Sequence, residues 1–482
     1  MGLRRCILVP LVLMAAVHVS VAFQLTAESN TILLNPNTMM DPNPVLLNCT
    51  TSSIEDFPRD LFTQEQRREG AVFIHFFVIA YMCGVMGVVC HRYFVPSLEI
   101  ISETCGLSND VAGATFMAVG TSAPELFTSL IGSFVTEGDI GIGTIVGSAV
   151  FNILGVTALI GLSMGKKALK VDWFPLSRDC IVYMISVGLL VLVVLDNYVT
   201  WYEAAGLLLC YVVYVTVMLF NSRLEEVAHT GVARLTGLTE SKLKSSERTA
   251  LLGENTCPSD DSRGTDEVDD DDDYDESRPR PIFEIPDGGF VDVLLWLIFL
   301  PANIVLALTI PDVHGAYGWL FPVTFIMSVV WIGLSSYVTA WMVTVAGYTF
   351  GIPDTIAGLT ILAAGTSVPE IFASVLVAKK GHGNMALCNL LGSNIFDILF
   401  CLGAPWFAKA LIANRPVLIQ SPALTYISIT LLTTVFVLYM TMIVLKWKVN
   451  YKAGLVCLLL YATFITLSCL YEFFVFGFAV MC

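Results

Sequence analysis

Two carboxylates stand in the same hexapeptide frame. Glu125 closes Gly120-Thr121-Ser122-Ala123-Pro124-Glu125, and Glu370 closes Gly365-Thr366-Ser367-Val368-Pro369-Glu370, 245 positions later. Each frame lies inside an apolar run long enough to cross a bilayer, the first from Val111 to Phe134. A second pair keeps the same offset: Gly147-Ser148-Ala149-Val150-Phe151-Asn152 and Gly392-Ser393-Asn394-Ile395-Phe396-Asp397. Between Ala112–Leu154 and Ala357–Leu399, 17 of 43 positions are identical. Shared apolar composition would not also align Pro, Glu, Thr and Ser. The chain therefore carries a duplication whose two copies bring acids into a membrane interior.

Chemistry follows from the residue types. Pro124 and Pro369 have no amide hydrogen, so the carbonyls of Gly120 and Gly365 lose their helical donors. Such breaks survive in a membrane where the backbone lines a polar cavity. Glu125 shares a helical face with Thr121 and Ser122, as Glu370 does with Thr366 and Ser367. Ser148 with Asn152, and Ser393 with Asp397, are i,i+4 pairs. Together these groups offer carboxylate, hydroxyl, amide and carbonyl oxygen, with neither thiolate nor imidazole. That set suits hard cations, and calcium takes about six to eight oxygens. An acid at the bilayer centre costs at least ~2.5 kcal/mol on insertion scales, so three of them need a use. The four helices that carry the motifs place no Lys or Arg near the acids.

The elements that must hold these residues are membrane helices. The chain has 482 residues, 56% hydrophobic and 14% charged, with several apolar runs near 20 residues. Its net charge of −16 is concentrated in one loop rather than spread over a surface. The 13 Cys are scattered, mostly in apolar segments and without a CxxC pair, which fits small core hydrophobes. Residues 1–22 pair Arg4 and Arg5 with an apolar stretch and Ser20-Val21-Ala22, the pattern of a signal peptide cleaved after Ala22. Residues 23–70 are then exoplasmic, with a glycosylation sequon at Asn48.

Five spans are expected within a first membrane repeat, residues 71–220. The polar segment 221–289, almost wholly acidic over Asp266–Glu276, is expected to be disordered and cytoplasmic. It contains Glu247-Arg248-Thr249-Ala250-Leu251-Leu252, an acidic dileucine pattern in which Glu247, Leu251 and Leu252 would recruit sorting adaptors. A second repeat occupies residues 316–482. Charge decides how the intervening run, 290–315, is counted. If it does not cross, Lys379, Lys380, Lys446, Lys448 and Lys452 fall inside with Lys166, Lys167, Lys170 and Arg178, while Lys409 and Arg415 fall outside, as cytoplasmic enrichment of Lys and Arg requires. The expected fold is thus all-α: ten transmembrane helices in two inverted repeats of five, with Phe290–Ile310 interfacial or half-inserted. Odd repeats of this kind, with broken helices, are the usual build of secondary transporters. Cys482 then shares the exoplasmic side with Cys49, and the two could pair there.

The motifs as a set resemble the potassium-dependent sodium/calcium exchangers, within the larger cation/calcium exchanger group, from about Leu61 to Phe476. Gly113-Ala114-Thr115-Phe116-Met117-Ala118 with Ser122–Glu125 looks like that family's first ion-binding repeat, and Gly365–Glu370 with Gly392–Asp397 like its second. The resemblance implies export of calcium with potassium, driven by sodium entry. It implies that Glu125 and Glu370 share the central cation site, that Asp397 serves potassium, and that Ala118 and Ala363 offer backbone carbonyls. One position departs: the family generally carries Asp where this chain has Glu370, so the charge is kept but the oxygens reach one methylene further. The short central loop and Phe94–Glu99 look most like shorter animal members, some of which work in organelles. The expected residence is the plasma membrane or a trans-Golgi or endolysosome-related compartment.

Other classes fit less well. An intramembrane acid protease would need a Gly-x-Gly-Asp type motif, which Thr136-Glu137-Gly138-Asp139 is not. Gly161–Lys167 lacks the spacing of a phosphate loop, which disfavours a pump. Neither enzymatic activity, a cofactor nor a nucleic-acid partner is expected; the ligands are calcium, sodium and potassium ions and the bilayer. A potassium-independent or proton-coupled antiporter of the same fold is the nearest alternative.

Overall fold

A computed structural model describes residues 53–104, 118–136, 138–165, 168–219, 284, 289–313, 318–379, 381, 383–419, 421 and 423–472. Residues 1–22, where a signal peptide is expected, Asn48, Cys49, Glu247, Leu251, Leu252 and Cys482 lie outside the described residues, as do Lys166, Lys167 and Lys380. Apolar runs become helices because a helix satisfies its own backbone where water is absent. In chain order these are α1 (Gln64–Ile101), the short α2 (Ala118–Thr121) and α3 (Ala123–Phe134), α4 (Ile140–Ser163) and α5 (Trp173–Val194), α6 (Trp201–Leu219) and α7 (Phe290–Thr309). The second half holds α8 (Phe321–Phe350), α9 (Asp354–Thr366), α10 (Val368–Lys379), α11 (Gly383–Ala413), α12 (Ala423–Val444) and α13 (Tyr451–Leu470).

Four two-residue strands settle how the halves are oriented. In the first half β1 (Leu169–Lys170) joins α4 to α5 and β2 (Tyr198–Val199) joins α5 to α6. In the second, β3 (Val417–Leu418) joins α11 to α12 and β4 (Lys448–Val449) joins α12 to α13. The link β1 corresponds in the duplication to β3, yet it pairs antiparallel with β4, Leu169 opposite Val449. Likewise β2 pairs with β3, Tyr198 opposite Leu418. Each link meets the neighbour of its own counterpart, so the two repeats point in opposite directions through the layer. The β1–β4 face carries Lys170, Lys446, Lys448 and Lys452. Lys379 belongs with it, since a Cβ on Gly383 would meet Leu169. Arg415 lies beside β3 on the other face. The β1–β4 face is thus the more basic of the two.

Among the described residues the two repeats match element for element, α1, α2 with α3, α4, α5 and α6 in the first and α8, α9 with α10, α11, α12 and α13 in the second. The helix α7 is additional. It is continuous over 20 residues with Pro301 inside it, and lies on the outside of the bundle with few buried residues. Phe299 stacks on Tyr81 of α1, centroids 5.3 Å apart, and the Pro311 carbonyl accepts from Thr324 Oγ1 of α8 at 2.8 Å. It has the length of a crossing, and Pro301 does not interrupt it. The strand pairing, not α7, fixes the relative orientation of the repeats.

Close helix contact in the centre comes from small residues. A Cβ on Gly147 of α4 would fall on the Leu359 carbonyl of α9, and one on Gly143 would meet the Thr355 carbonyl at 2.8 Å. Small residues at a crossing let two backbones approach where no hydrophobic drive presses helices together. The first half of α4 is thereby laid against α9, and the two copies of the motif meet.

Candidate ion-binding site

The two frames break where proline requires it. Ser122 has φ −93° and ψ 11°, and Ser367 has φ −79° and ψ 8°. Both lie in the sparsely populated bridge region. Helix α9 turns by 48° into α10. Each break ends one short helix and starts the next, so Glu125 and Glu370 fall in the first turn of α3 and α10. Helix N-termini point amide hydrogens and positive dipole toward such acids.

The second pair of motifs sits in matching distortions. Phe151–Val156 and Asp397–Leu402 are π-helical turns within α4 and α11. Asn152 occupies the second position of the one, and Asp397 opens the other. Widened turns of this kind are frequent at functional sites, because they redirect side chains and loosen the i→i+4 ladder.

Glu125, Glu370, Asp397, Asn152, Ser122, Ser367, Thr366, Ser148 and Ser393 are all fully buried, and Thr121 nearly so. Their bonding divides them. Both carboxylate oxygens of Glu125 and of Glu370 lack a hydrogen-bond partner, as do Asp397 Oδ2, Asn152 Oδ1, Ser122 Oγ and Ser367 Oγ. Ser148 donates to the Ile145 carbonyl at 3.0 Å and Ser393 to that of Leu390 at 3.1 Å. Thr366 donates to Ala363 at 3.3 Å. Those hydroxyls keep their lone pairs for a cation. The Ala363 carbonyl also accepts from the Ser367 amide at 3.2 Å, so it is engaged within the helix rather than freed. Ala118 opens α2, and its counterpart role rests on the duplication.

The acids are gathered from both copies. Thr366 of the second repeat neighbours Glu125 of the first, and Ser122 of the first neighbours Asp397 of the second. Glu370 feels the charge of both Glu125 and Asp397. Among the described residues no three His, Cys, Asp or Glu come close enough to hold a metal ion by themselves. A cation here must therefore draw on hydroxyl, amide, carbonyl and water oxygens as well as carboxylates, which suits a hard and loosely caged ion. Buried carboxylate oxygens with no protein donor are costly unless a cation arrives.

Three residues enter the site that motif reading did not single out. Asn394 accepts from Asn152 Nδ2 at 3.1 Å and donates to the Ala149 carbonyl at 3.3 Å, joining the two repeats. It aligns with Ala149, so a polar residue opposite an apolar copy was the available signal. Cys401 lies beside Asp397, its Sγ 3.7 Å from Oδ1. Tyr183 of α5 is buried near Asp397 with its hydroxyl unpartnered. Nothing in the spacing of the motifs points to α5.

Fold and site together define a polytopic membrane protein of inverted repeats with a shared, buried oxygen site. The family described as sodium/calcium exchanger protein matches residues 75–220 and 320–470, the two membrane halves, and the chain belongs to it. The sodium/potassium/calcium exchanger 5 of Homo sapiens is 41% identical over 450 residues, covering 89% of each chain. The sodium/potassium/calcium exchanger 4 of Homo sapiens is 34% identical over 89% of this chain and 86% of its own. A solved structure of the sodium-calcium exchanger NCX_Mj aligns over 82% of this chain and 98% of that one, at 21% identity and a TM-score of 0.44.

Proposed function

We propose that this chain is a secondary active antiporter that moves calcium together with potassium in one direction and sodium in the other. The observation that carries this reading is the group of three fully buried acids, Glu125, Glu370 and Asp397, drawn from both repeats and left with five carboxylate oxygens unpartnered. The names of the relatives, sodium/potassium/calcium exchangers, support the choice of ions. Glu125 and Glu370 are the central calcium ligands, with Thr121, Ser122, Thr366, Ser367, Ser148, Ser393 and Asn152 supplying neutral oxygens and Ala118 the backbone. Asp397 is the potassium ligand. The dileucine pattern around Leu251 supports residence in a trans-Golgi or endolysosome-related membrane, with adaptor proteins as partners of the central loop.

Broken helices at the midplane of inverted repeats let one bundle rock against the other around a fixed site. Calcium flux into vesicles, with sodium, potassium and proton gradients set separately, tests the reading. Uptake should follow the sodium gradient and require potassium on the calcium side. Uptake driven by a proton gradient alone would replace it with the proton-coupled alternative.

A further inference from the structure

The two oxygens of Asp397 are not equivalent. Oδ1 faces the Cys401 thiol at 3.7 Å, while Oδ2 is buried and has no hydrogen-bond partner. Cys401 is itself fully buried, lies one turn after Asp397 in the same π-helical segment, and its Sγ is 4.0 Å from the Ser122 carbonyl. The thiol hydrogen therefore has an oxygen of Asp397 on one side and the break in the first repeat on the other. The duplication sharpens the point. At the offset of 245, Cys401 corresponds to Val156 and Asp397 to Asn152. Where the copy carries no charge, it carries no donor either.

We propose that Cys401 is a positioning residue: its thiol engages Oδ1 of Asp397, leaves Oδ2 to face the monovalent cation, and so tunes the choice of potassium over sodium. This rests on the reading of Asp397 as the potassium ligand. A hydrogen bond to one oxygen draws charge from the carboxylate and ties its plane. A thiol does so weakly, since S–H is a poor donor. The carboxylate then offers one strong oxygen and one damped one. Sodium is the smaller ion, costs more to dehydrate and gains more from each strong-field oxygen. Potassium costs less to dehydrate and tolerates the damped pair. Removing the donor gives back the second oxygen and favours sodium. A hydroxyl in the same place keeps the donor and strengthens it.

The test is calcium uptake by full-length protein in vesicles, measured against potassium at two fixed sodium concentrations. The variants are Cys401→Ala, Cys401→Ser, Cys401→Val and Asp397→Asn. Loss of one weak hydrogen bond predicts that Cys401→Ala and Cys401→Val raise the half-saturating potassium by about three- to tenfold when sodium is present. Sodium competition should strengthen in parallel, and the half-saturating calcium should move by less. Cys401→Ser should return the potassium value to that of the parent or below it. Val has the bulk that the first repeat already places there, so it carries the comparison if Ala leaves a cavity that spoils folding. If Asp397→Asn loses the potassium requirement while Cys401→Ala and Cys401→Val keep the parent's potassium and sodium dependence, the inference about Cys401 is overturned and the role of Asp397 stands. If Ser behaves like Ala and Val, the residue acts by packing and not as a donor. If Asp397→Asn still requires potassium as the parent does, the reading of Asp397 fails first.

Discussion

Asn152 donates from Nδ2 to the Oδ1 of Asn394 across 3.1 Å, and this bond ties the first repeat to the second beside the ion site. Asn394 passes the tie on to the Ala149 carbonyl, so one amide bridges two positions of α4. The bond also orients Asn152, whose own Oδ1 is left unpartnered. Replacing Asn394 by Leu keeps the bulk and removes both bonds, which leaves Asn152 Nδ2 buried without an acceptor. That costs about 1–3 kcal/mol. Exchange should fall by about tenfold or more, with a larger rise in half-saturating calcium than loss of protein from the membrane. Flux and surface labelling on the same cells check this.

Glu125→Gln and Glu370→Gln should each nearly abolish exchange while leaving the protein folded. Each removes one charge from a site whose partner is the transported ion. Losing one side of a buried charge interaction costs about 2–5 kcal/mol, or about thirtyfold to several thousandfold in ion affinity. Stability should move the other way. Without ions the parent holds buried carboxylate oxygens that nothing in the protein satisfies, and an amide relieves that cost. Thermal unfolding in chelator should therefore be no lower for the variants, and the rise in melting temperature on adding calcium should be confined to the parent. Near-parent flux in either purified variant would remove that residue from the site.

The duplication, the proline breaks and the burial of the acids were legible because each is a local consequence of residue type at a fixed offset. Inversion was legible as a charge imbalance between loops, and the β1–β4 and β2–β3 pairings express it in backbone. The length of α7 was legible as the run Phe290–Ile310, but its continuity was not, because Pro301 and Pro311 argue for interruption while the helix runs unbroken from Phe290 to Thr309. Nor was the engagement of the Ala363 carbonyl by Thr366 and Ser367, since spacing does not say which acceptor a hydroxyl chooses. Tyr183 enters the site from α5 only through packing, and no sequence pattern joins α5 to Asp397.

At the start of α1, Asp60 accepts from Arg67 Nη1 at 2.9 Å and lies 3.0 Å from His75 Nε2. Burial works to raise the Asp60 carboxyl, but the bond from Arg67 and the neighbouring His75 outweigh it and hold the group below its usual 3.8. A depressed value in the folded state gives stability that is complete above the unfolded value and lost as pH falls through the folded one. The cluster should thus hold at any pH from neutral down to about 4 and weaken only below that. Asp60→Asn should lower stability by about 1.5–3 kcal/mol at neutral pH, because Arg67 loses a charged acceptor. Its melting temperature should approach that of the parent only in strong acid. A parent-variant gap that instead closed between pH 7 and 5 would show that Asp60 does not control it.

Asp397→Asn should remove the potassium requirement and leave sodium-driven calcium exchange. Asp397 and Asn152 correspond at the offset of 245, though Asn152 is second in its π-helical turn and Asp397 first in the other, and the two side chains differ by one charge and almost nothing in shape. With Asn at both positions the site would hold two carboxylates, Glu125 and Glu370, which balance one calcium ion. Asp397 adds a third negative charge, buried beside Ser122 and Cys401. An unbalanced charge in a low-dielectric site is costly, so with all three acids ionised a monovalent cation accompanies calcium, and a proton on Asp397 would take its place. Calcium and potassium together bring three positive charges to three carboxylates. The amide of Asn keeps an oxygen as ligand and restores balance for calcium alone. Calcium uptake in sodium-loaded vesicles, titrated with external potassium, decides the matter: the parent should be nearly silent without potassium, and the variant should run at its full rate. A variant that stays as dependent on potassium as the parent would place the potassium ligand elsewhere, with Tyr183 and Ser122 the nearest groups to examine.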